Sequence, residues 1–175
     1  MQTRRQLLSR SALLATVAAL GPLLPLLARG AEPLRQRAIP ATGEMLPVIG
    51  LGTSRTHDVQ LDDDEMRTLV EGGARVIDTA PSYGNADRVV GELVQRGDVR
   101  RQVFLASKVS ATGRERGVAQ IEKSFEALRT GVIDLIQVHN LQDTRTQLQL
   151  LRTLKEQGRI RYIGVTHYVE SAHDR

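Results

Sequence analysis

The sequence contains no cysteine, which excludes disulfides and cysteine-ligated metals. Aromatic residues are scarce, at 3%, and the few phenylalanines and tyrosines form no clear aromatic pocket. No basic stripe with interleaved aromatics occurs. The net charge of +4 points at first to nucleic acid or an anionic surface. The distribution argues otherwise: residues 1–30 hold Arg4, Arg5, Arg10 and Arg29 and no acid, and the rest holds 20 basic and 20 acidic side chains. A nucleic-acid partner is therefore not expected. A dinucleotide fingerprint is also missing, because Gly50 and Gly52 are followed by Arg55 where a third glycine would stand. No serine nucleophile with its base is evident, and there is no low-complexity segment or internal linker.

What is present begins with a leader. Thr3–Leu8, TRRQLL, supplies a twin-arginine n-region, and residues 12–28 form an apolar stretch. Ala28-Arg29-Gly30 offers small residues for cleavage before Ala31. The stretch is short for a span of ~20 residues, and Gly21, Pro22 and Pro25 would break it; an uncleaved anchor is the alternative. The motif resembles the twin-arginine signals of bacterial proteins exported already folded, with Leu7 where phenylalanine is favoured. It implies a signal peptide over 1–30, the twin-arginine export machinery as a partner and a periplasmic or otherwise exported product.

The body, residues 31–175, alternates strand and helix. Arg35–Pro47 reads as a small hairpin around Thr42-Gly43-Glu44. Strand-like apolar runs follow at Val48–Thr53, Arg75–Ala80, Val103–Ser107, Val132–Val138 and Ile160–Val165. Between them lie helical patterns. One opens on the acidic run Asp62–Glu65, which suits a helix start better than a cation site, continues through Met66, Leu69 and Val70, and ends at Gly72-Gly73. The next carries Val89, Val90, Leu93 and Val94; a third Val118, Ile121, Phe125 and Leu128; the last spans Thr146–Gln157. Such alternation implies parallel strands with helices packed outside. Five strands and four helices are visible, whereas a (β/α)8 barrel needs about 250 residues.

The chain is organised around Val76–Gly84, VIDTAPSYG. A strand ends in Asp78, and Tyr83 follows on a proline turn. Lys108 and His139 end the next two strands. Catalytic groups of α/β barrels sit at these C-terminal ends. A nearby ammonium favours the phenolate and brings tyrosine toward general-acid strength. A carboxylate keeps the lysine charged and aimed, and a histidine N–H can hold a carbonyl oxygen. Each residue has a plain structural alternative: Asp78 a turn cap, Tyr83 a packed loop aromatic, Lys108 a solvated residue, His139 an interior histidine. A metal site of His139, His167 and His173 lacks a carboxylate at ligand spacing, so no metal is expected.

IGLGT, IDTAPSYG, the strand ending SK, DLIQVHN and RIRYIGVTHY, in this order, resemble the aldo-keto reductase family over residues 39–170. The resemblance implies a (β/α)8 TIM barrel that reduces small-molecule aldehydes or ketones with NADP(H), truncated here after its fifth strand, and so a fragment of a longer enzyme. It implies Tyr83 as general acid, Lys108 and Asp78 tuning it, and His139 orienting the carbonyl beside Asn140. Gly52, Thr53 and Asp78 would approach the nicotinamide end, with Thr166 and His167 standing where the family has Ser-Asn. A non-catalytic remnant or binding subunit is the alternative function, and a metal-dependent barrel hydrolase a third.

Overall fold

The computed structural model describes residues 34–54, 68 and 70–172. The leader, residues 55–67, Leu69 and His173 lie outside the described residues, and with them most of the helix expected from Asp62. A two-stranded antiparallel hairpin comes first, β1 (Gln36–Ala38) and β2 (Met45–Pro47). Five parallel strands follow in the order of the sequence: β3 (Leu51–Gly52), β4 (Val76–Asp78), β5 (Phe104–Val109), β6 (Ile133–His139) and β7 (Ile160–Thr166). Between the later strands run α1 (Ala86–Val94), the short α2 (Val99–Gln102), α3 (Arg114–Ala127) and α4 (Thr144–Glu156). A 3-10 turn, Glu170–Ala172, comes last among the described residues.

Period-two alternation divides the strands between two environments. Register pairs Ile77 with Leu105, Ser107 with Ile136 and that in turn with Ile163, and Val109 with Val138 and that in turn with Val165. Apart from edge residues Ile163 and Val165, this face is buried, and it meets the helices in one apolar core. The helices present matching stripes: Val90, Leu93 and Val94 on α1, Ile121 and Phe125 on α3, and Leu150, Leu151 and Leu154 on α4. Each such side chain contributes about 1.5–3 kcal/mol on full burial. The opposite face carries Gly52, Asp78, Ala106, Lys108, Leu135, Gln137, His139, Tyr162, Gly164 and Thr166, joined by the same register. Of the sequence-predicted residues, Gly52, Asp78, Lys108, His139 and Thr166 therefore share one side of the sheet.

Three expectations are corrected. The first strand is confined to Leu51–Gly52, with Val48 and Ile49 exposed. Val118 is exposed; the buried position beside it is Gly117, where an added Cβ would lie 2.3 Å from Gln147 Oε1. The helix α2 carries no apolar period and was not expected.

The strand starts are laced by Asp134, which is buried. It accepts from the Leu105 N–H at 2.8 Å, Arg100 at 3.0 Å and Arg161 at 2.7 Å. Arg161 and the Tyr162 hydroxyl also donate to Glu44 of the hairpin, both at 2.5 Å. The hairpin is thereby fastened to β7.

Candidate active site

Asp78 ends β4, and its carboxylate Oδ2 accepts from Lys108 Nζ at 2.7 Å. Lys108 is two register positions further up β5 than Asp78's partner Ala106, so its stem reaches back along the sheet. A second ammonium proton goes to the Thr79 carbonyl at 2.9 Å. Lys108 is buried, with 6% of its side chain exposed against 35% for Asp78. The pair thus sits at the boundary between core and rim. Thr53 braces it: its N–H and hydroxyl both donate to the Asp78 carbonyl, at 2.9 and 3.1 Å.

The loop after β4 is shaped by a turn in which Tyr83 N–H donates to the Ala80 carbonyl at 2.9 Å. Gly84 follows at φ 62°, a left-handed conformation that glycine adopts without the Cβ clash. The turn sets the Tyr83 ring 4.8 Å from Lys108 Nζ, measured to its centroid. The His139 ring meets the Tyr83 ring edge-on, with centroids 6.1 Å apart and planes at 85°. The four residues read from the sequence as one group are brought together. Among the described residues, the Tyr83 hydroxyl and the His139 ring nitrogens make no hydrogen bond, while Asp78 and Lys108 are bound to each other.

Burial of the His139 ring lowers its pKa below the ordinary 6.5, the Lys108 charge lowers it further, and the Asp78 charge opposes both. The imidazole is therefore neutral at pH 7, with one N–H to donate and one nitrogen to accept. Beyond His139, Asn140 and Leu141 adopt φ of 55° and 58°, closed by Gln142 N–H to the His139 carbonyl at 3.1 Å. Asn140 is exposed. Leucine pays roughly 1–2 kcal/mol in this left-handed region, so the turn must be held from outside. Asp143 Oδ2 accepts from Gly113 N–H at 2.8 Å, and Gln147 Nε2 donates to the Ala111 and Gly113 carbonyls at 3.0 and 3.2 Å. These bonds fasten the end of the loop after β6 and the first turn of α4 to the loop after β5.

The other sequence-predicted residues are placed as follows. Gly52 pairs in register with Asp78, and a Cβ there would meet nothing within 4 Å. Thr166 pairs with His139, and its hydroxyl has no partner among the described residues. His167 turns aside: Nδ1 accepts from Val169 N–H at 2.9 Å, and its ring stacks on Tyr168 at 5.4 Å. Sequence reasoning missed Thr79, Asp87 and Gln147. Asp87 was legible in part, as an acid occupying one position of the buried stripe that continues through Val90 and Val94.

A parallel α/β sheet with Asp78, Lys108 and His139 at its strand ends, and Tyr83 on the adjoining loop, is the architecture of a partial α/β barrel with its polar groups gathered at one rim. The sequence model of the Aldo/keto reductase family matches residues 48–173, and the chain belongs to that family. It is 31% identical to an aldo-keto reductase of Bacillus subtilis, YhdN, over 75% of this chain and 46% of the relative. It is 30% identical to the glyoxal reductase of the same organism, over 72% of this chain and 47% of the relative. A crystal structure of a Klebsiella pneumoniae aldo-keto reductase in complex with NADPH superposes with a TM-score of 0.62 at 28% identity, over 74% of this chain and 48% of that one. The chain spans about half the length of these relatives.

Proposed function

We propose that this chain carries the proton-donating site of an exported, NADPH-dependent carbonyl reductase acting on a small aldehyde or ketone. One observation carries the reading: Asp78 and Lys108 are committed to each other beside Tyr83 and His139, whose hydroxyl and ring nitrogens are uncommitted. The relatives' names and the NADPH in the Klebsiella complex support the reaction class and the cofactor.

The residues suit a nicotinamide cofactor. Open space stands beside Gly52 next to Asp78, and the free Thr166 hydroxyl offers a polar partner on the same face. Gly52, Thr166 and the remaining nitrogen of His167 would hold its nicotinamide end, while Thr53 supports the site through Asp78. When bound, the cofactor supplies hydride to the carbonyl carbon. The C=O π pair then moves onto oxygen, which takes the proton of the Tyr83 hydroxyl. The Lys108 ammonium stabilises the negative charge left on the phenol oxygen. Asp78 keeps that ammonium in place, and the neutral His139 donates its N–H to the substrate oxygen and orients it. Asn140 borders the substrate from the following turn.

The test is NADPH titration of the full chain by fluorescence, followed by turnover of a small aldehyde. Tyr83→Phe is expected to keep cofactor binding and lose about 10²–10⁴-fold in kcat, the range for a general acid. Equal turnover in Tyr83→Phe would remove the proposed acid. No NADPH binding by a folded sample would sink the reductase reading for this chain.

The export half of the reading rests on Arg4-Arg5 ahead of the apolar stretch at 12–28. A reporter fused behind residues 1–35 should reach the periplasm, and the double substitution Arg4→Lys, Arg5→Lys should hold it in the cytoplasm. Export through another route, indifferent to that substitution, would refute the twin-arginine assignment.

A further inference from the structure

A second carboxylate stands behind the site. Asp87 lies in the first turn of α1 yet is buried, with 7% exposure, and lines a cleft between α1 and α3. Its Oδ1 accepts from the Thr79 hydroxyl at 2.6 Å. That length is characteristic of an O–H donor meeting an ionised carboxylate. Thr79 is wholly buried, its N–H donates to the Ala106 carbonyl at 2.9 Å, and its own carbonyl receives Lys108 Nζ. Side chain and backbone of one residue thus join Asp87 to the active lysine.

We propose that Asp87 is a positioning residue for Lys108: it fixes the Thr79 carbonyl that holds the ammonium and places a second negative charge behind it. This inference rests on the proposed role of Lys108, while its geometry is independent of the substrate. Burial pushes the Asp87 carboxyl up, and both the Thr79 hydroxyl and the Lys108 charge draw it down, so the two charges feel each other. The other ionisable groups on this cleft are Arg88 of α1 itself and Arg116 and Lys123 of α3, all exposed cations. Asp78 alone would neutralise the lysine but leave it free to follow a carboxylate that is one-third exposed. Two anchors on the successive strand-exit residues Asp78 and Thr79 hold it.

The measurement is the Lys108 ammonium signal in 15N spectra of the full chain, identified by its disappearance in Lys108→Arg. Asp87→Asn keeps the side-chain shape and removes the charge. Its Lys108 signal should shift and exchange with solvent about tenfold faster as its anchor loosens, and Asp87→Glu should return it toward the parent. Where turnover is measurable, Asp87→Asn should lower kcat with KM unchanged. A folded Asp87→Asn with the parent's Lys108 signal and exchange rate would overturn the proposal. Should Asp87→Asn fail to fold, Thr79→Val removes the same link and Thr79→Ser keeps it. Only the valine variant is expected to disturb Lys108, and an identical signal in both would overturn the proposal equally. A parent chain without turnover would count against the reductase reading, while the lysine signal would still decide this one.

Discussion

The four site residues divide by how tightly each is held. Lys108 has two fixed acceptors, while His139 is set by its neighbours' charges and by burial. The histidine's linkage has a definite sign. In the unfolded chain an imidazole takes its proton near pH 6.5, and in the folded chain only at lower pH. Between those points the unfolded state binds more protons, so stability falls as pH drops below 6.5 through the lowered value. Urea unfolding at pH 7.5 and 5.5 should show this loss in the parent and a smaller one in His139→Gln; equal losses would disprove it. Asp87 has the opposite sign, because its raised carboxyl pKa makes stability fall as pH rises through the window above 3.8. Asp78, Lys108 and His139 were legible because each closes an apolar strand run, and Tyr83 because it stands on the turn after one. Asp87 and Thr79 were not. Their partnership depends on which face of α1 meets the strand exit, and a sequence does not state that.

Among the elements, α1 and α3 approach each other so closely that glycine is required between them. A Cβ on Gly91 would sit 1.9 Å from the Ala127 carbonyl oxygen, which is backbone and cannot swing away. Gly91→Ala should therefore destabilise by about 1–3 kcal/mol or more through overpacking, read as a lower melting temperature. Gly91→Ala melting with the parent would mean that the helices separate at no cost. The same close packing explains what the sequence hid. The apolar period on α3 suggested Val118, but α4 presses the Gln147 amide against Gly117, and a glycine leaves no hydrophobic signal to read. The first strand was overread for a related reason. Gly50 already lies against Val76, with 2.8 Å between a would-be Cβ and the Val76 Cβ, so pairing starts only at Leu51. Helices α1 and α4, with regular apolar stripes, were readable within a few residues. The four-residue α2 had nothing periodic to announce it.

At the scale of the described molecule, charges near the strand starts fasten the hairpin to β7, while the strand ends carry Asp78, Lys108 and His139. Glu44 and Tyr162 meet across a sequence separation of 118 residues. The Tyr162 hydroxyl and then Arg161 hold the Glu44 carboxyl below its ordinary 4.5. That contribution is present above pH 4.5 and is lost as pH falls through the lower folded value. Hydrogen exchange should then quicken in residues 36–47 before it does in β5 and β6; simultaneous exchange would show that the hairpin is not a separate unit. The other end of the sheet bears on the protein's own chemical durability. An amine beside an aldehyde condenses with it to an imine, because its lone pair attacks the same carbon that hydride would. An ammonium whose protons are engaged by a carboxylate and a peptide oxygen has no lone pair to offer. On the proposed function, the clamp on Lys108 would therefore also guard the site against self-inactivation by entering carbonyl compounds.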